Sequence, residues 1–204
     1  MRGFFLFLGP SRPLVFALAL ALPQPLLTAC SSGGGNDAVE TANSQNAQKI
    51  DAADVTAKQE ADAEFLVKAT SNALLQVELG KLAQARASTP TVRSYGTRLV
   101  QNRLELLGAL RALANSKQLT VPPALGGDEQ AAYHEISTKT GSQLDKSLMK
   151  LVLKVQKQDE DAFDDIRDDG YDGDVRGFAA KYLQPVREEL AGAEEVADAI
   201  EDLP

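Results

Sequence analysis

From about Asp51 to Ile200 the large apolar residues recur three and four positions apart in four long runs, separated by residues that stop helices. That spacing gathers each run on one face of an α-helix; a strand alternates faces at every second residue and cannot use it. The first run, Asp51 to Ser88, carries Ala61, Phe65, Ala69, Leu75, Leu79 and Leu82. Thr89 and Pro90 then read as an N-cap and a first-turn proline, opening a second helix to about Lys117 with Val92, Tyr95, Leu99, Leu106, Leu110 and Leu113 inward. The stretch "LTVPPALGGD" is a loop by its Pro-Pro and Gly-Gly pairs. A third run, about Asp128 to Asp168, is bent or broken at Thr140-Gly141 and carries Leu144, Leu148, Val152, Val155, Ala162, Phe163 and Ile166. Gly170 suits its C-terminal cap, and Asp172 an N-cap for a fourth helix, Gly173 to Ile200. That helix turns Val175, Phe178, Tyr182, Val186, Ala193, Val196 and Ile200 inward, and Pro185 should kink it or loosen a turn. Aromatic residues make up only 5% of the chain and Trp is absent, which suits closely packed helices better than a sheet. The expected fold is therefore all-α, an antiparallel up-down four-helix bundle over residues 51–204, with no obvious internal repeat.

The first thirty residues differ in kind. "MRGFFLFLGPSRPLVFALALALPQPLLTAC" has two arginines, no acidic residue and a short apolar stretch bounded by prolines. It reads as an export signal over residues 1–29, too short in its apolar part to cross a bilayer. Its end, Leu27-Thr28-Ala29-Cys30, resembles the lipobox of bacterial lipoproteins, and Cys30 is the single cysteine of the chain. The resemblance implies a lipidated Cys30, and Ser31 and Ser32 behind it favour the outer membrane over the inner. Residues 30–50, with the Gly-, Ser- and Asn-rich "SSGGGNDAVETANSQN", are expected to form a flexible tether. Loss of Arg2 and Arg12 with the signal moves the formal charge from -8 to -10, which disfavours nucleic acid and leaves the acyl chains to hold the protein at the membrane.

One stretch breaks the apolar pattern. In "LVQNRLELLGAL", Leu99 to Leu110, Asn102 and Arg103 interrupt a leucine stripe. The blocks "NALLQVELGKLAQARASTPTVRSYGTRLV", "GSQLDKSLMKLVLK" and "VRGFAAKYLQPVREEL" resemble, in order and spacing, a bacterial envelope family, the domain of unknown function 4142, over about residues 60 to 200. The resemblance implies a ferritin-like four-helix bundle, exported and often lipid-anchored, with no established reaction. Members often carry histidines at positions that fall here on Arg103, Gln156 and Glu189, and a glutamate at Gln76. Counting supports one level for these residues: Gln76 lies about twelve residues before the end of the first helix and Arg103 about twelve after the start of the second. The four side chains are expected to form a polar layer halfway down the bundle, with Arg103 and Glu189 paired and Gln76 and Gln156 supplying hydrogen bonds.

A di-iron site of the ferritin type needs glutamates from two helices and a Glu-x-x-His pair from each of the other two. The one histidine, His134, has Ala131 three residues before it, and Arg103 is a permanent cation at the level where a metal would sit. No bound metal or cofactor is therefore expected. Nucleophilic triads fail because Cys30 lies in the lipobox and one histidine would have to serve every base. The acidic run Gln158 to Asp174 fits no calcium-loop register and reads as a solvated helix face and turn. The expected function is a non-catalytic envelope lipoprotein acting through contacts with another envelope protein or as a structural module. The alternative is a ferritin-like metal or small-molecule binder with a divergent site.

Overall fold

The computed structural model describes residues 37–51 and 57–202, so the expected signal and Cys30 lie outside the described residues. The described regular structure is all helical: α1 (Ala38–Asp51), α2 (Ala57–Arg86), α3 (Pro90–Ser116), α4 (Gly127–Ser137), α5 (Gly141–Asp169) and α6 (Gly173–Ala199). Four long helices make the bundle. α2 and α3 form one hairpin and α5 and α6 another, with α2 packed on α5 and α3 on α6.

Caps and turn contacts fix the directions. Thr89 caps α3 with Pro90 in its first turn, and Asp172 caps α6 by accepting from the amides of Asp174 and Val175. Asp62 near the start of α2 accepts from the amides of Tyr171 (3.0 Å) and Asp172 (2.7 Å), so α2 begins where α5 ends. Asp145 near the start of α5 accepts from the amides of Ser88 (2.9 Å) and Thr89 (2.8 Å), where α2 ends. All neighbouring helices are thus antiparallel, yet α3 and α5 run the same way. The chain between them must return along the bundle, a distance of about 43 Å for a helix as long as α5. This corrects the expected up-down order with short breaks; the break expected at Thr140-Gly141 is present, parting α4 from α5 at Thr138–Thr140, and α4 belongs to the return path. Gly141 turns that corner at φ +60, a conformation an L side chain resists.

The return path is fastened by a segment expected to be a tether. Asn46 on α1 donates from Nδ2 to the Thr120 carbonyl (2.8 Å) and accepts from the Thr120 amide (2.7 Å), as a paired strand would. Asp37 caps α1 by accepting from the Val39 amide (2.8 Å), and also accepts from the Gly127 amide at the start of α4. The flexible reading fails from Ala38 onward, because Ala42 and Ile50 bury against the bundle within a polar stretch. At the far end, Arg86 donates to the carbonyls of Ser137 (2.6 Å) and Lys139 (2.9 Å). α2 touches α1, α3, α4 and α5, so Ala63, Val67 and Ala83 are buried alongside its apolar stripe, although Ala61 is exposed.

The two hairpins are copies of one plan. Residues 83 apart play the same part: Asp62 and Asp145 hold the turns, Thr89 and Asp172 are the caps, and Gln76 and Asp159 meet across the core. Arg93 donates to the carbonyls of Ala87 (2.7 Å) and Ser88 (3.0 Å), and Arg176 to those of Gly170 and Tyr171 (both 2.7 Å). Even the bounds of α3 and α6 differ by the same shift. An internal repeat is therefore present. α2 and α3 also approach closely at Gly80 and Gly96, where a Cβ on Gly96 would lie 2.7 Å from Ala83 Cβ and 2.8 Å from the Gly80 carbonyl.

Candidate functional site

Among the described residues most of the buried apolar side chains fall into two clusters, one toward each end of the bundle. One contains Leu79, Leu99, Val155 and Ala193; the other contains Ala73, Leu106, Phe163 and Val186. A layer of polar side chains from all four bundle helices lies between them: the buried Asn72 and Gln76 on α2, Arg103 on α3, Gln156 and Asp159 on α5, and the partly buried Glu189 on α6. Helical periodicity puts Arg103 there, one turn beyond Leu99 and just short of Leu106. The outcome inverts hydrophobicity: Arg103 is 1% exposed and the adjacent Leu104 is 51% exposed.

Arg103 stands between two carboxylates. Its Nη1 lies 3.5 Å from Asp159 Oδ2, and its Nη2 pairs with Glu189 Oε2. Asp159, 2% exposed, also accepts from Asn72 Nδ2 (2.7 Å) and Gln76 Nε2 (2.8 Å). Burial raises the Asp159 carboxyl above its ordinary range, with Arg103 and then the two amides pulling against that rise and Lys68 adding a weaker pull. Glu189 is likewise raised by burial and restrained by Arg103 and by the exposed Asn102 side chain, while Asp159 pushes it further up. Gln156 is part of the layer but not of this cluster, since its Nε2 donates to Tyr95 Oη (2.9 Å). Burial pushes the Tyr95 phenol up to about 12. Several polar atoms at this level are buried without a hydrogen-bond partner: Gln76 Oε1, Gln156 Oε1, Glu189 Oε1 and Arg103 Nε.

Of the residues singled out from the sequence, Arg103 and Glu189 are brought together, Gln76 reaches Arg103 only through Asp159, and Gln156 turns to Tyr95. Cys30 lies outside the described residues. Asp159 and Asn72 were missed. Asp159 hides in the acidic run read as a solvated face; its signal is position, since it follows Val155 by four residues and precedes Phe163 by four on the buried stripe. His134 is exposed. A groove of about 370 Å³ between α3 and α6 opens onto the layer at Arg103 and Glu189, with Tyr95, Tyr182, Pro185 and Gly192 among its walls.

A ferritin-like fold would imply a metal in such a layer, and these residues do not fit one. Two carboxylates are bridged by a guanidinium that offers only donors, and among the described residues no group of three or more His, Cys, Asp or Glu side chains could hold an ion. No described helix is long and apolar enough to cross a membrane. Residues 45–196 match the sequence model of a family described as Domain of unknown function (DUF4142). No curated protein and no solved structure matches the chain at a significant level.

Proposed function

Since the chain belongs to the DUF4142 family, we propose that it is an envelope lipoprotein whose helical bundle has no reaction of its own and works as a structural or protein-contact module. The observation that carries this reading is the Arg103 guanidinium between Asp159 and Glu189. A covalently supplied cation takes the position from which a metal would otherwise join the helices, and its guanidinium occupies an oxygen of each carboxylate, which leaves a divalent ion too few ligands at that level. The anchor part of the reading is supported by Leu27-Thr28-Ala29-Cys30 at the end of an export signal. Acyl chains at Cys30 would hold the bundle at the outer membrane and present its helical faces to other envelope proteins.

Two measurements test this. Cys30→Ser is expected to move the protein from the membrane fraction to the soluble periplasmic fraction; unchanged fractionation and processing would overturn the anchor. Calorimetric titration of the purified chain with iron, zinc and manganese is expected to show no stoichiometric binding. A metal held at about micromolar affinity or better, and lost on changing Asp159 or Glu189, would favour the binder reading.

A further inference from the structure

The groove between α3 and α6 has a floor that the module reading does not use. Glu189 is 14% exposed through it; Oε2 is engaged by Arg103, and Oε1 is buried with no well-formed hydrogen bond, the Asn102 side chain being the nearest donor to the carboxylate. The groove is open because of what flanks Glu189 on α6. Gly192, one turn later, has no side chain, and a Cβ built there meets nothing within 4 Å. Pro185, one turn earlier, has no amide hydrogen, so the Lys181 carbonyl lacks its helical donor from that residue.

The charges point one way. The buried cluster holds one cation, Arg103, against Asp159 and Glu189, which leaves one negative charge inside the layer. Of the other cations, Lys68 is exposed on α2, Lys181 lies over the Tyr182 ring, 5.0 Å from its centroid, and Arg98, on the groove wall with Glu105 and Glu188, lies over the Tyr95 ring, 5.7 Å from its centroid; none of them is paired with Glu189. The walls then choose among cations. Leu99, Leu106 and Val186 offer aliphatic surface, which welcomes the alkyl part of an organic cation and gives a hard inorganic ion too few oxygens, while the Tyr182 ring is already taken by Lys181 and Phe178.

We propose that this groove binds a small primary ammonium ion, its N–H groups donating to Glu189 and its alkyl part lying against the aliphatic wall of Leu99, Leu106 and Val186. The proposal goes beyond the module reading and does not rest on it. An ammonium supplies the missing charge and the missing donors at once; a quaternary ammonium or a neutral alcohol supplies only one of these or neither in full.

The test is a calorimetric titration of the full chain in nonionic detergent at neutral pH with n-butylammonium chloride, run beside tetramethylammonium chloride, butan-1-ol and magnesium chloride. One equivalent of n-butylammonium is expected to bind saturably, and the three controls are not. Glu189→Gln should weaken binding by roughly tenfold or more. Because that change also disturbs the Arg103 pair, Gly192→Leu provides a second arm: it fills the groove, leaves every charge in place and is expected to abolish binding with the helical circular dichroism retained. Absence of saturable n-butylammonium binding would overturn the proposal and mean that the layer takes a proton only. Equal binding of any control, or undiminished binding by the Gly192→Leu protein, would overturn it as well.

Discussion

A guanidinium enclosed by two carboxylates and cut off from bulk water holds its place only while the three charges are present together. Removing Arg103 leaves Asp159 and Glu189 buried and uncompensated, so Arg103→Ala is expected to cost about 3–5 kcal/mol in chemical denaturation. Adding Glu189→Leu should recover part of that loss, and adding Asp159→Asn more, because Asp159 is still buried without its cation in the double variant; strictly additive losses would show that the three do not act as a unit. The pH dependence has a definite sign. Burial raises the Glu189 carboxyl above its ordinary 4.5, so the folded chain keeps that proton to a higher pH than the unfolded chain does. Stability from this group therefore falls as pH rises from about 4.5 through the raised value, and Glu189→Gln should flatten the curve in that window. Denaturation midpoints across a pH series, wild type against variant, check this. At this scale the level of Arg103 and Glu189 could be counted from the helix ends, since 3.6-residue periodicity survives any choice of neighbour. Asp159 could not be picked out by residue type, because one buried acid among many exposed ones differs from them only in its phase on the helix.

Between the helices, the strongest fastenings are carboxylates that leave their own hairpin. Asp145 on α5 accepts from the Ser88 and Thr89 amides and from Ser88 Oγ (2.8 Å), and it is fully buried. Asp145→Ala would strand two backbone donors in the α2–α3 turn, and a cost of about 2 kcal/mol or more is expected from thermal or urea unfolding. Asp62→Ala should behave alike, since it strands the Tyr171 and Asp172 amides in the matching turn. The four long helices, the Thr89 and Asp172 caps and the break before Gly141 were legible because apolar phase and stop residues are local signals. α1 was not, since its polar composition resembles a linker and its order comes from Asn46 and Thr120, which lie far apart in sequence. The repeat was hidden for a similar reason: the turns kept their Asp and Arg, while the layer put Arg103 opposite a valine in the other copy, Val186, and lost the echo.

Across the whole molecule the polar layer divides one possible core into two. Replacing it with apolar side chains, as in Arg103→Met with Asp159→Leu and Glu189→Leu, should join the clusters, and the triple variant is expected to melt at or above the wild type. Marked destabilisation would show that packing at this level cannot adapt. If the triple variant is as stable, the charges are kept for something other than holding the helices together. The exchange of Asp62 and Asp145 between the hairpins bears on how the chain acquires its shape. Neither turn has its full set of acceptors until the other hairpin has arrived, so each hairpin can pack its own helices but completes its turn only when the two meet. The barrier to folding then contains the closure of the long return path, and the slow step becomes the meeting of two half-formed hairpins. A chain built this way ties the final order of both turns to a single docking event.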